Sequence, residues 1–430
     1  MPQSDQDVFR IFAEAVRTIV EHVCLHQTSY NVLDFEPQID LASKRWWLIP
    51  VIKKSYSFYG EKLFEELKEH YVINRSLELM LREDFPRRLE MRVIDREGQP
   101  VVNPDYRPYL FLEILVPLAY EYIQEFGCDF VEQNFKGLFD EMMAYIYTEG
   151  WEVVAVAPLE NFELEGAEEV SIDKYRIRKL SEWEIKQIMR KGRADSLGKT
   201  LDLSFGIIEN LWCVEVIYRA PKRNILGLSS NIDEFITLMR LFKKGSVSRS
   251  VIFEYPKTWK GFSPNLASWG PIHISIPKPK YILRLDEIDN LRRLWNLYNR
   301  VSVKLPQELR IALRWFNKSY EEVEIENRIL YLAIAFETMF KYDRYDVLAP
   351  NFPLSDPSEK EKISKYLEKL IKERNFIVHQ GHSKLKSNEL EVIVTNADEI
   401  FRKYYRWFLE QIDKGRDYYE IISRPKRHKR

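Results

Sequence analysis

The stretch EKLIKERNFIVHQGHS, residues 368 to 383, decides how the C-terminal part of this chain is read. Counted at about 100° per residue from Ile363, Leu367, Leu370, Ile377 and Val378 fall within about 60° of one direction, which predicts an amphipathic helix. The helix is expected from Ser358 to about His379, with Gly381 ending it. Arg374 falls close to the centre of the apolar arc. Asn375 and His379, four residues apart, share a different face at its flank.

A guanidinium on an apolar stripe must meet an anion, because burying it unpaired is costly. Glu337 is one candidate, since it lies in register with Leu330, Ala333, Ile334 and Phe340 on a second apolar face. A substrate phosphate, or a carboxylate from a second chain, is the other. The helix-to-helix pair by itself does not explain why Asn375 and His379 follow so closely.

The segments around this stretch predict more helices. Ile288, Leu291, Leu294, Trp295 and Tyr298 form one stripe, and Pro306 opens a helix carrying Leu309, Ala312, Leu313 and Phe316. A helix over 323–342 is apolar on nearly every side and should be central. Pro350, Pro353 and Pro357 mark a loop, and a last helix over about 388–413 turns Leu390, Ile393, Val394, Ala397, Phe401, Tyr404 and Phe408 inward. Residues 283–413 therefore predict a helical bundle, followed by a basic tail over 414–430.

Residues 1–150 read as mostly helical: Phe9, Phe12, Val16, Ile19, Val20 and Val23 recur at helical spacing, and similar patterns return around 60–83, 109–126 and 130–148. Residues 34–50 are expected to be irregular. From Trp151 the pattern changes to the β-rich runs WEVVAVA, EVSIDKYRIRKL, LWCVEVIYRA, RSVIFEY and IHISIPK, with Ser181 and Glu184 as a capping box. Residues 151–282 therefore predict a mixed α/β domain. The fold class expected is α+β, predominantly helical.

Composition narrows the functions. Lys plus Arg (65) nearly cancels Asp plus Glu (66), so any attraction to nucleic acid must be local. The apolar runs LYLAIAFETMF and LFLEILVPLAY fall short of the ~20 residues that span a bilayer, and no membrane partner is expected. Three cysteines (Cys24, Cys128 and Cys213), an odd number and far apart, together with a polar, acidic opening point to a reducing cytoplasm. There is no phosphate-binding glycine loop, so no nucleotide cofactor is expected.

No metal is expected either. His379 and His382 lack a placed carboxylate or cysteine, and His22, Cys24 and His26 would need further ligands. The segment SKRWWLIPVIKKSYSFYG interleaves cations with aromatics, which can bind single-stranded RNA but more often forms a core edge with a solvated rim. Arg424, Lys426, Arg427, Lys429 and Arg430 in the tail would favour RNA.

The run Arg374-Asn375-Phe376-Ile377-Val378-His379 resembles the R-N-x-x-x-H signature of HEPN ribonucleases. The order RIALRWFNKSY, RILYLAIAFETMF, RNFIVHQG is similar to the Apea-like HEPN branch, over about residues 283–412, and residues 153–185 are similar to regions that precede such domains. The resemblance implies a homodimeric, metal-independent RNA endonuclease with no cofactor. In it Arg374 and His379 of two protomers meet at the two-fold axis, Asn375 orients the imidazole or holds the phosphate, and the RNA's own 2′-OH attacks the neighbouring phosphate. Glu337 and His382 would support the site, and residues 1–282 would sense a trigger or bind a regulatory partner. A phage-defence or toxin-type role goes with the family. The chemistry suits the residues, because His titrates near neutrality and Arg presents a planar fork to a phosphate. Arg374 and His379 stand about 140° apart on an unbroken helix, so they converge better across an interface than within one chain. The alternative expectation is a non-catalytic HEPN module that binds RNA or a protein, with Arg374–Glu337 as a structural ion pair.

Overall fold

The computed structural model describes residues 5–26, 29–40, 45–56, 60–89, 91, 101, 104–148, 151–181, 183–185, 212–220, 229–249, 251–259, 266–269, 279–341 and 357–422. The chain is α+β and predominantly helical, in three layers of sequence.

The N-terminal layer begins with α1 (Asp5–His26), whose periodic apolar residues Phe12, Val16, Ile19, Val20 and Val23 are all buried. It packs against α3 (Tyr71–Arg82), α6 (Val116–Phe126) and α7 (Glu132–Tyr147), with α2 (Gly60–Leu67), α4 (Phe85–Arg88) and α5 (Arg107–Leu110) completing the cluster. A π-helical turn, Phe111–Leu115, joins α5 to α6. Pro117 follows it, and its missing N–H removes the bond that an α-turn would need there.

The segment expected to be irregular, 34–50, instead contributes its described residues, 34–40 and 45–50, to two paired strands. β1 (Ser29–Asp40) pairs antiparallel with β2 (Arg45–Tyr56), from Asp40 opposite Arg45 to Ser29 opposite Tyr56. Pro37 and Pro50 read as breaks in sequence, but each strand of a two-stranded ribbon has an open edge where a residue lacking N–H is tolerated.

The cysteine reading also needs correction. Cys24 and Cys128 form a disulfide with Cα atoms 6.2 Å apart, although 104 residues separate them. The packing of α1 on α6 and α7 brings them together, so distance along the chain was no guide. Cys213 is free and buried.

The middle layer is a sheet of order β10-β9-β3-β7-β6-β5, all antiparallel, with β8 pairing the far end of β3. Its strands are β3 (Trp151–Glu160), β5 (Glu169–Ile172), β6 (Tyr175–Lys179), β7 (Trp212–Ala220), β8 (Ser248–Arg249), β9 (Val251–Pro256) and β10 (Leu266–Trp269). Two more strands, β4 (Phe162–Glu165) and β11 (Tyr281–Arg284), pair in parallel. The sheet face carrying Ala155, Ala157, Val214 and Val216 is covered by α8 (Ser229–Phe242), a helix that the run of β-like segments did not announce. The expected capping box forms: Ser181 N–H donates to Glu184 Oε2 at 2.7 Å, and Glu184 N–H returns to Ser181 Oγ at 3.3 Å. The run IHISIPK lies outside the described residues.

The C-terminal layer is the bundle: α9 (Ile288–Val301), α10 (Gln307–Glu321), α11 (Ile325–Phe340), α12 (Pro357–Gln380) and α13 (Ser387–Asp413). The expected inward residues of α9, α10 and α13 are buried, and α11 is central, touching α10, α12 and α13. Phe316 and Phe401 stack with ring centroids 4.4 Å apart at its middle. Part of the expected tail is structured: α14 (Tyr418–Ile422) buries Tyr418, whose hydroxyl donates to the Met339 carbonyl at 2.6 Å.

One hydrophobic core runs from the sheet through the bundle, and a second fills the N-terminal helices. A buried polar chain ties sheet layer to bundle. Arg240 of α8, 3% exposed, donates from Nε to the Val247 carbonyl at 2.8 Å and lies 5.1 Å over the Tyr320 ring. Tyr320 in turn donates to Asp398 Oδ2 at 2.9 Å and accepts from Arg402 at 2.7 Å. On the other side, Trp259 joins the N-terminal core, and its Nε1–H donates to Glu121 Oε2 at 3.3 Å. No described helix is long and apolar enough to cross a membrane.

Candidate active site

The last two turns of α12 carry the motif. The helix runs unbroken through His379 to Gln380, and Gly381 then turns the chain at φ +78°, donating its N–H to the Ile377 carbonyl at 2.7 Å. An L side chain at that φ would be strained, which is why glycine serves here. Because the helix does not fray before His379, the angular separation between Arg374 and His379 stands.

Arg374 turns towards α11 and pairs through Nη2 with Glu337 Oε1, as the sequence allowed. The pair is only partly closed: 24% of the Arg374 side chain and 21% of the Glu337 side chain remain exposed. Arg374 Nη1 also donates to Asn375 Oδ1 at 2.6 Å. Among the described residues these two bonds engage two of the five guanidinium N–H groups and leave donors for a third partner. Glu337 therefore orients Arg374 without exhausting it.

His379 projects into solvent from the final turn, as does Asn375 from the turn before. His382 lies just past Gly381, exposed, with Nδ1–H donating to the Gln380 carbonyl at 3.1 Å. The structure thus joins Arg374, Glu337 and Asn375 into one hydrogen-bonded group and keeps His379 and His382 apart from it. The loop after the helix is pinned: Ser383 Oγ donates to Glu373 and accepts from the Leu385 N–H at 2.9 Å, and the Lys386 N–H donates to Glu389 Oε2 at 3.0 Å.

Two features of this site were not legible beforehand. Val378, expected on the inward stripe, is 59% exposed; Leu385 in the turn and Val392 on α13 are 37% and 57% exposed. The apolar stripe outruns the partners that cover it at this end of the bundle. Lys384 also folds back, placing Nζ 5.0 Å from the Phe376 ring centroid. Only the glycine turn could have suggested that return.

The other sequence candidates separate clearly. His22 pairs with Glu66 at 2.9 Å, its ring lies 4.8 Å from that of His26, and Cys24 is held in the disulfide. Among the described residues no group of three or more His, Cys, Asp or Glu side chains could hold a metal ion. Arg424, Lys426, Arg427, Lys429 and Arg430 lie outside the described residues, as do the side chains of residues 43–60. Arg328, at the start of α11, is a buried cation that the sequence reading passed over. It pairs with Glu391 at 3.6 Å, and its Nε has no hydrogen-bond partner among the described residues.

Comparison with known proteins returned no matching family model, no matching curated protein and no matching solved structure.

Proposed function

We propose that this protein is a HEPN-type RNA endonuclease whose site is completed by a second copy of the chain. The observation that carries the reading is the arrangement at the end of α12. Arg374 is oriented but not saturated, and His379 is exposed next to exposed Val378, with Leu385 and Val392 exposed in the turn and helix that follow. Such exposed apolar residues are what an interface between copies would cover.

In the proposed reaction the 2′-OH of one nucleotide attacks the adjacent phosphorus and the P–O5′ bond breaks. His379 of one protomer takes the 2′-OH proton, and its counterpart gives a proton to the leaving 5′-oxygen. Arg374 offsets the charge growing on the non-bridging oxygens. Asn375, held by Arg374, orients the phosphate. The products are a 2′,3′-cyclic phosphate and a 5′-hydroxyl.

Residues 1–282 would bind a regulatory partner or sense a trigger, and a defence or toxin-type role would follow from the family. A cytoplasmic location belongs to the same reading. That location requires the Cys24–Cys128 bridge to persist against a reducing poise.

The Arg374–Glu337 pair favours one rival: a non-catalytic module in which the pair is structural. The test uses Val378→Glu, which places a charge at an exposed apolar position without touching the core. The nuclease reading expects a dimer in light scattering that this variant converts to monomer, with RNA cleavage lost in step. A wild-type monomer that cleaves RNA overturns the shared site. A dimer of either form without cleavage supports the rival.

A further inference from the structure

Phe376 sits between Asn375 and Ile377, and on α12 it is three residues from His379, so the two side chains are neighbours on the helix surface. Two residues from Arg374 and so about 160° around the helix from it, Phe376 is turned away from the apolar stripe that meets the bundle. It is partly exposed and is not among the residues packed on the bundle core, whereas Tyr366 and Trp407 are. What lies over it is the Lys384 ammonium, 5.0 Å from the ring centroid. The turn at Gly381 and the Ser383–Glu373 hydrogen bond hold that lysine-bearing loop against the helix. A partly exposed aromatic ring thus lies beside His379 with a cation over its face.

We infer that Phe376 and Lys384 form a shelf for an unpaired nucleobase of single-stranded RNA next to the scissile phosphate. The inference rests on the nuclease reading of His379 and Arg374 and names a positioning pair that reading does not need. The ring supplies a stacking face that any base can use, and Lys384 neutralises the phosphate that follows it. The ammonium swings off the ring when the base arrives, keeping its charge near the backbone.

The experiment measures binding apart from cleavage, by fluorescence anisotropy of a labelled single-stranded 2′-deoxy oligonucleotide, which lacks the attacking hydroxyl. Phe376→Leu, which keeps an apolar side chain but removes the stacking face, is expected to weaken binding about tenfold, the scale of one lost base–aromatic stack. Phe376→Trp should restore it. Lys384→Ala should lower the dependence of log Kd on log salt by about one ion, because one phosphate contact is lost. Thermal melts should be alike for all variants, since the ring lies off the core. Equal binding by wild type, Phe376→Leu and Phe376→Trp overturns the shelf, as does a wild-type chain that does not bind the oligonucleotide. Binding that follows this pattern in a chain that cleaves no RNA leaves the shelf standing and removes the nuclease reading instead.

Discussion

Replacing Arg374 or Glu337 by alanine should affect folding similarly and catalysis differently. Removing one partner of a fully buried ion pair costs about 3–5 kcal/mol, and an exposed pair is worth about 0.2–1 kcal/mol. Here 24% and 21% of the two side chains are exposed, so each single variant should lose ~2 kcal/mol. For a cooperative unit of this size that is a fall of about 5 °C in Tm. The double variant should recover about half of the summed loss, since neither charge is left alone. Catalysis has no such symmetry. Arg374→Ala removes the group proposed to face the phosphate and should reduce cleavage by about 10² or more. Glu337→Ala leaves the guanidinium in place but less well oriented, and should reduce cleavage by about tenfold. Scanning calorimetry beside a labelled-RNA cleavage assay reads both quantities. If cleavage falls equally in the two single variants and returns in the double variant, Arg374 is a structural partner only and the reasoning fails.

Three further outcomes follow from features away from the site. Thiol labelling of the denatured, unreduced chain should give one adduct, from Cys213, and reduction should lower stability by about 2–4 kcal/mol; three adducts would deny the bridge. Burial pushes the Glu121 carboxyl up to about 8, helped by Glu125 and Glu141 and opposed by Trp259, and pushes Glu254 up to about 7 against a smaller pull from Tyr218. Both lie above the 4.5 of an unfolded chain, so their contribution is complete below pH 4.5 and is lost as pH rises through 7 to 8. Glu121→Gln with Glu254→Gln should therefore raise Tm relative to wild type at pH 9 but not at pH 4.5, and a gap that does not change with pH would contradict this. Gly245→Ala would set a Cβ 2.8 Å from the Tyr281 Cα at φ +139°, and a denaturant midpoint should report a loss of ~2 kcal/mol.

The bundle was legible because its helices are long and their apolar residues repeat at helical spacing. Ile288 to Tyr298 and Leu390 to Phe408 land inward as read. The β1–β2 pairing was not legible, since Trp46 to Ile52 is a continuous apolar run with no alternation and a proline at each strand's middle or flank. α8 was hidden among strands because helix and sheet share the one core there. Buried pairing across long distances escaped as well: nothing local links Cys24 to Cys128, or Arg240 to Asn317 and Tyr320. Within the site, the Arg374–Glu337 pair was open to view because both residues interrupt apolar stripes. The exposure of Val378 was not, because helical phase says which way a side chain points but not whether anything stands there.

The proposed acid–base role of His379 on RNA has one direct test. Purified wild-type chain and His379→Ala should be incubated with a single-stranded RNA in excess EDTA, with the product ends determined by mass spectrometry. His379 is exposed on the last turn of α12, so its truncation should leave the Tm unchanged. Wild-type cleavage is expected to survive EDTA and to leave 2′,3′-cyclic phosphate and 5′-hydroxyl ends, with a 2′-deoxy substrate left intact and a loss of about 10² or more in the variant. Equal cleavage by wild type and a folded His379→Ala chain, or none by wild type, would contradict that role.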